Sequence, residues 1–379
     1  MKKIGILGST GSVGSQCLDL ITDYRNKFDI EFITANSNAD KIIDQARKFN
    51  PKYVCILDEK KYEYLKKSLP NTEVIIGEDA MNELCKNKNI DIILNSVSGY
   101  KGLSLSYQIL NSGIDLALAN KESIVQAGNI LIDLSKQNNC NIFPVDSEHS
   151  ALWQCLIGED ISNVKKIILT ASGGPFRKLK KDDFKNITKE NALKHPNWTM
   201  GSKITIDSAT MMNKGFEVIE AYWLFGIEYK NIDIVVHPQS IIHSMIEYID
   251  GSIKAQLSEP SMRIPIQFAL TYPDRFKVED EKFNFFKNDK LTFEKPDFDK
   301  FPCLKLAYDA GSKGGTYTTV LNVANDIAVD LFLKDKIHFM EISEVIESCL
   351  DSHDSISNPE LEDIYTTMEW TKNKILKEN

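Results

Sequence analysis

Along the first 150 positions the hydrophobic residues fall in short unbroken runs: 4–7, 30–34, 53–57, 74–76, 92–94, 116–119 and 142–145. Strands buried on both faces read this way. Helical spacing fills the gaps, for example over 40–49 and 103–111. Strand–helix alternation predicts an α/β fold with a Rossmann-type doubly wound parallel sheet over residues 1–149. From about 150 to 275 the texture changes. Strand-like runs at 166–170, 204–206, 234–236, 241–248 and 253–257 are separated by polar loops rich in Gly and Ser. That pattern predicts a central α+β domain over 150–275 with a mostly open sheet. Residues 276–301 are charged and aperiodic, as in a linker. From 302 to 379 helical spacing returns, with Val320, Leu321, Ala324, Ile327, Ala328 and Leu331 on one stripe, predicting a C-terminal helical bundle. Asn358-Pro359 reads as an N-cap followed by Pro at the first helical position.

Composition narrows the function classes. The chain has 379 residues and a net charge of −9, with no basic block, which argues against a nucleic-acid partner. Its lysines alternate with acids, as in residues 58–67, the look of solvated helix faces. Seven cysteines stand singly with no CxxC pair, so neither a zinc site nor a disulfide framework is expected, and a reducing, cytoplasmic setting fits. No apolar run approaches the roughly 20 residues of a membrane span. The N-terminus leads directly into a strand, with no signal or transit pattern.

The first chemical motif is "GILGSTGSVG". A strand, then Gly8, Gly11 and Gly14, then a helix is the geometry of a phosphate-binding turn, with helix N–H groups facing a pyrophosphate. A tight βα turn without ligand is the alternative. Roughly 20 residues past Gly14 an NAD site would place an acid for the ribose. Here stand Ala35, Asn36, Ser37 and Asn38, neutral groups that leave room for a 2′-phosphate and favour NADPH, unless Asp40 takes the ribose role.

Asp146 and Glu148 lie at the carboxyl end of a predicted strand, the edge where open α/β sheets bind ligands. Carboxylates so close repel unless a cation or proton lies between them, and an all-oxygen set suits Mg²⁺ or Mn²⁺. A surface acidic turn is the alternative. Asp207, Ser208, Asn213 and Lys214 bracket a loop before a helix that is expected near Gly215, with Glu217 in its first turn. These donors suit a phosphate monoester. "TASGGPFR" can form an N–H nest beside them. The stretch 191–203, with His195 and Trp198, reads as a lid or as a loop anchored by its Trp. His237 and His243 lack metal spacing and read as packed, hydrogen-bonded residues.

Six stretches, "GILGSTGSVG", "ALANKES", "PVDSEHSALWQCL", "LTASGGPFR", "HPNWTMGSKITIDSATMMNKGFEVIEAYWLF" and "HPQSIIHSMIEY", resemble the 1-deoxy-D-xylulose 5-phosphate reductoisomerase family over nearly the whole chain. The resemblance implies NADPH- and metal-dependent conversion of 1-deoxy-D-xylulose 5-phosphate to 2-C-methyl-D-erythritol 4-phosphate, in non-mevalonate isoprenoid synthesis. It makes 1–149 the NADPH domain and 150–275 the metal- and substrate-binding domain, and it implies a homodimer. Asp146, Glu148 and Glu217 match metal ligands. Lys121, Ser147, Glu148, Ser172, His195, Trp198, Ser208, Asn213, Lys214 and Glu217 match substrate contacts. Thr10, Gly11, Ser12, Val13, Asn36, Ser37, Asn38, Asn120, Glu122, Gly201 and Met262 match cofactor positions. The implied chemistry is a retroaldol–aldol rearrangement on a metal-chelated ketone and hydroxyl, then hydride transfer, with Lys121 and Glu148 nearest for proton transfer. Where some members carry Gly-Lys, this chain has Asn36-Ser37. Two rivals are a semialdehyde-type NADP dehydrogenase, which would need a nucleophilic setting that Cys140 and Cys155 lack, and a non-catalytic NADP-sensing protein.

Overall fold

The computed structural model describes residues 1–194, 201–279 and 282–378. Two compact units form. The first takes Met1–Ser123, Leu131–Ser150 and the segment opening at Ser261; the second takes Ile124–Ile130, Ala151–Pro260 and the C-terminal stretch.

In chain order the first unit runs β1 (Lys2–Leu7), α1 (Ser12–Asp23), β2 (Phe28–Ala35), α2 (Ala39–Phe49), β3 (Tyr53–Ile56), α3 (Tyr62–Ser68), β4 (Glu73–Ile76), α4 (Gly77–Leu84), β5 (Ile92–Asn95), α5 (Gly102–Asn111), β6 (Asp115–Leu118), the two ends of α6 (Lys121–Gln137), β7 (Ile142–Pro144) and the start of α7 (Ser147–Leu156). The seven strands are all parallel, in the order β4-β3-β2-β1-β5-β6-β7, with Ile4 paired to both Ile30 and Ile92. The order reverses between β1 and β5, the switch point at which such sheets bind ligands. The runs predicted from hydrophobicity are these strands, to within two residues at either end. Ile4, Ile6, Ile33, Val54, Ile92 and Leu94 form the sheet's share of the core, against Leu18 and Ile21 of α1 and Ile42 and Ile43 of α2.

The second unit holds β8 (Val164–Ala171), α8 (Lys189–Ala192), α9 (Ser202–Thr210), α10 (Met212–Phe225), β9 (Ile232–Val236), β10 (Ile242–Tyr248) and β11 (Ile253–Leu257). Its sheet has the order β11-β10-β8-β9, with β8 and β9 parallel and the other pairs antiparallel. α11 (Arg263–Thr271) returns to the first unit, where Ile266, Ala269 and Leu270 join the core. α12 (Pro302–Lys313), α13 (Tyr317–Leu333), α14 (Glu341–Asp351) and α15 (Leu361–Glu378) complete the second unit. Phe216 and Ile219 of α10, Leu304 and Ala307 of α12, Val320, Leu321 and Ala324 of α13, and Ile342 of α14 share its core with Ile167 and Leu169 of β8. These compact units cut the chain differently from the composition-based segments. α11 is apolar enough to sink into the first core, and the charged stretch before α12 is tied down where Val236 and Glu294 exchange backbone hydrogen bonds.

Three expected elements differ. Residues 204–206 are helix, inside α9, not strand. The following helix starts at Met212, three residues before Gly215, so Glu217 lies in its second turn rather than its first. α15 starts at Leu361, because Asp363 at its third position accepts the Glu360 N–H at 2.8 Å and sets the start there instead of at Pro359.

Candidate active site

In the first unit the glycine loop joins β1 to α1 at the switch point. Gly8 has φ +79°, open to glycine but rare for other residues. A Cβ on Gly14 would lie 2.4 Å from the Gly8 carbonyl oxygen and 2.6 Å from Ser9 Cα, so only glycine lets α1 start this close to the turn. Gly11 is the N-cap with no side chain over the helix end. The first N–H groups of α1, from Ser12 and Val13, have no intrahelical partners and point out of the helix start, with Thr10 beside them. The loop is stitched to its neighbours. Gly8 N–H donates to Thr34 Oγ1 at 3.0 Å, Ser9 N–H to the Thr34 carbonyl at 2.9 Å, and Gln45 Nε2 of α2 to the Ser9 carbonyl at 2.9 Å. The Asn36 carbonyl accepts the Leu57 and Asp58 N–H groups, Ser37 is exposed, and Asn38 caps α2 by accepting the Lys41 N–H at 3.2 Å.

Asn120 is a buried N-cap of α6. Its Oδ1 accepts the Ser123 N–H, and its Nδ2 donates to the carbonyls of Val97 and Gly99 and to Glu122. Met262 precedes α11 and packs on the first core. Gly201, in the second unit, caps α9 with ordinary φ and open space where a Cβ would go, so its backbone imposes no need for glycine.

The acidic pair stands where β7 gives way to α7. Asp146 precedes the helix and Glu148 is in its first turn, where the helix dipole favours a carboxylate. One carboxylate oxygen of each lies within 4.8 Å of the other. Their repulsion is relieved by Lys121, at the start of α6, whose Nζ is 2.6 Å from Asp146 Oδ2. Ser147 donates its N–H to Asp146 Oδ1 at 3.1 Å and its hydroxyl to Glu148 Oε2 at 2.6 Å. His149, fully buried, has Nδ1 3.9 Å from Asp146 Oδ2. It was not singled out from the sequence; its i,i+3 spacing from Asp146 was the available signal.

In the second unit the expected phosphate donors converge on the corner between α9 and α10. Asp207 and Ser208 are the last turn of α9 and Asn213 and Lys214 the first of α10, with only Met211, in the left-handed region, between the helices. The loop after β8 meets this corner, because a Cβ on Gly174 would lie 2.5 Å from the Ser208 carbonyl oxygen. Ser172 Oγ accepts the Gly174 N–H at 3.3 Å. Glu217 is fully buried. Asn213 donates to its Oε1 at 2.6 Å and Lys214 Nζ to its Oε2. Asp207, which the sequence grouped with these donors, is instead a buried anchor, bonded to Lys203 Nζ at 2.7 Å and to Asn325 Nδ2 at 2.8 Å. His237 and His243 are buried and hydrogen-bonded, His237 to the Thr292 carbonyl and the Ile241 N–H and His243 to Ser258. His195 and Trp198 lie outside the described residues. All seven cysteines are buried and none forms a disulfide, and burial pushes the thiols of Cys17, Cys55 and Cys303 up to about 12. Neither Cys140 nor Cys155 has a lowered pKa; burial raises both.

A doubly wound sheet with a glycine turn at its switch point, carried with an acidic centre and a donor-rich helix corner, defines a dinucleotide-dependent oxidoreductase with an oxygen-ligand cation site. Comparison with known proteins makes the assignment finer. Family profiles match over residues 4–128 (1-deoxy-D-xylulose 5-phosphate reductoisomerase), 142–225 (its C-terminal domain) and 257–374 (DXP reductoisomerase C-terminal domain). The 1-deoxy-D-xylulose 5-phosphate reductoisomerase of Thermoanaerobacter sp. strain X514 is 52% identical over 379 residues, covering 100% of this chain and 99% of that protein. The Chloroherpeton thalassium enzyme is 50% identical over 366 residues, 96% and 95% of the two chains. The Zymomonas mobilis enzyme, solved with NADPH, superimposes with a TM-score of 0.92 at 40% identity, covering 98% and 97%. A DOX-P reductoisomerase solved with NADPH, fosmidomycin and magnesium gives 0.93 at 37% identity, covering 100% and 99%. The chain belongs to the 1-deoxy-D-xylulose 5-phosphate reductoisomerase family.

Proposed function

We propose that this protein converts 1-deoxy-D-xylulose 5-phosphate to 2-C-methyl-D-erythritol 4-phosphate by rearrangement and NADPH-dependent reduction, the committed step of non-mevalonate isoprenoid synthesis. The observation that carries the reading is the Asp146–Glu148 pair, oxygens within 4.8 Å, at the carboxyl end of β7, in the same parallel sheet whose β1 ends in a cofactor-type glycine turn. The donors are all hard oxygens, which fits Mg²⁺ and also Mn²⁺. Asp146, Glu148 and Glu217 would hold the ion, which when bound supplies Lewis-acid stabilisation of charge on the substrate's ketone and hydroxyl oxygens.

The chain's own groups do the rest. Lys121, held by Asp146, and Glu148, held by Ser147, are the groups that move protons on the substrate hydroxyls. Ser172, Ser208, Asn213 and Lys214 take the phosphate, and that remote binding energy orients the carbon skeleton. In this reading Lys214 exchanges its bond to Glu217 for the phosphate as substrate enters. The helix start at Ser12 and Val13, with Thr10 and Gly11, takes the cofactor pyrophosphate. Asn36, Ser37 and Asn38 line its ribose, and Asn120, Glu122, Gly201 and Met262 complete the cofactor contacts. His195 and Trp198 take further substrate contacts.

The active form we propose is a cytoplasmic homodimer that pairs through β11, an edge strand with Ile253 exposed. NADPH absorbance followed with 1-deoxy-D-xylulose 5-phosphate, with and without Mg²⁺, tests the activity. Metal-dependent oxidation with 2-C-methyl-D-erythritol 4-phosphate as product is expected. Metal-independent oxidation, or none, overturns it.

A further inference from the structure

The crevice beside the glycine loop contains a feature that the cofactor positions above do not use. Two carboxylates border the end of β2, and both are turned away from it. Asp40 Oδ1 accepts the Tyr64 hydroxyl at 2.9 Å. Asp58 donates its N–H to the Asn36 carbonyl at 2.9 Å, but its Oδ1 accepts the Lys60 N–H at 3.1 Å. Neither is aimed at a ribose diol. One cation is turned inward. Lys41, on α2, donates from Nζ to the Thr10 carbonyl of the glycine loop at 2.9 Å, so its ammonium bridges the β1–α1 turn and the β2–α2 turn.

Lys41 is an unusual residue for its place. Asn38 is the N-cap, which makes Lys41 the third helical position. Capping boxes put Glu or Gln there, and a cation in the first turn opposes the helix dipole. Local preference therefore argues against this lysine, and breaches of a local rule are expected at functional or strained sites. In doubly wound folds the pyrophosphate sits on the first helix and the adenosine ribose at the end of the second strand. An ammonium tied to Thr10 from α2 stands between the turn that opens α1 and the end of β2.

We propose that Lys41 selects NADPH over NADH in this chain. Its ammonium leaves a neutral carbonyl for the 2′-phosphate, a charge-assisted pairing, with Ser37 beside it. The inference rests on the reading that the crevice binds NADPH.

Calorimetric titration of the full chain with 2′,5′-ADP and with 5′-AMP tests it, in wild type, Lys41→Ala and Lys41→Arg. Lys41 is exposed, and a melting curve checks that each variant is folded. Lys41→Ala should weaken 2′,5′-ADP roughly 10- to 100-fold while 5′-AMP scarcely moves, and Lys41→Arg should restore most of the loss. The ratio of kcat/KM for NADPH over NADH should fall by the same factor in Lys41→Ala. Wild-type 2′,5′-ADP affinity in Lys41→Ala overturns the proposal, as does equal weakening of both nucleotides. If wild type takes neither NADPH nor 2′,5′-ADP, the cofactor reading itself is wrong.

Discussion

Gly174→Ala should separate the two halves of the proposed phosphate site. Gly174 has φ +65°, and a Cβ there would lie 2.5 Å from the Ser208 carbonyl oxygen, 3.2 Å from its carbon and 3.4 Å from Ala209 Cα. These are backbone atoms of a helix, with no flexible side-chain end to give way. The Ser208 carbonyl also accepts the Met211 N–H that closes α9. α9 is held from behind by Asp207 on Asn325 and by Lys203 on Asp326 at 2.9 Å. The loop must therefore move, and Ser172 moves with it. Left-handed backbone costs a non-glycine residue about 1–2 kcal/mol, and overpacking costs about 1–3 kcal/mol more. Together these predict about 2–5 kcal/mol of lost stability. Gly158→Ala is the control: its φ is +79° with nothing within 4 Å, so only the backbone cost applies. Urea denaturation should show Gly174→Ala well below Gly158→Ala. The KM for the sugar phosphate should rise by roughly tenfold or more in Gly174→Ala alone, tenfold being the loss of about 1.4 kcal/mol of binding. Equal midpoints for the two variants, with an unchanged KM, would refute the claim that this contact holds Ser172 against Ser208.

Gly14→Ala should abolish NADPH binding in a fluorescence titration, since its Cβ meets backbone at 2.4 Å; retained affinity would show that α1 can shift. Glu217→Gln should lose most turnover even at saturating Mg²⁺, and near-normal turnover would remove it from the ligand set. Lys214→Ala should mainly raise KM, and it should also lower the urea midpoint because it removes a cation paired with the buried Glu217 carboxylate. With thiols pushed up to about 12 at Cys17, Cys55 and Cys303 and to about 11 at Cys155, the folded protein should resist alkylation at pH 8 and expose seven reactive thiols only in denaturant. Rapid labelling of the native chain would contradict that burial.

The parallel sheet was legible because each strand is buried on both faces and must be apolar throughout, a signal that survives without tertiary information. The glycine turn and the Asp146–Glu148 pair were legible for a related reason: both depend on residues close in sequence. Capping geometry was less so. Pro359 and Asn358 carry an N-terminal signal, yet Asp363 places the helix start two residues later. Asn120 matches a cofactor position by resemblance alone, and the span of its side chain across three backbone partners and Glu122 is something no spacing rule reveals.

α9 shows what decides such a conflict. "ITI" at 204–206 is β-branched and reads as strand, a preference worth only tenths of a kcal/mol per residue. Against it stands Asp207, 1% exposed, whose buried charge must be paired. In a strand Lys203 and Asp207 would be about 13 Å apart, beyond reach of each other. In a helix they fall on one face at i,i+4, where Lys203 Nζ meets Asp207 at 2.7 Å and Asp326 at 2.9 Å. An unpaired buried carboxylate costs several kcal/mol, far more than the propensity of three residues, so helix wins. The Lys203-x-x-x-Asp207 spacing was visible in the sequence. What was not visible is that Asn325, 118 residues further on, completes the pairing and fixes the helix that presents Ser208.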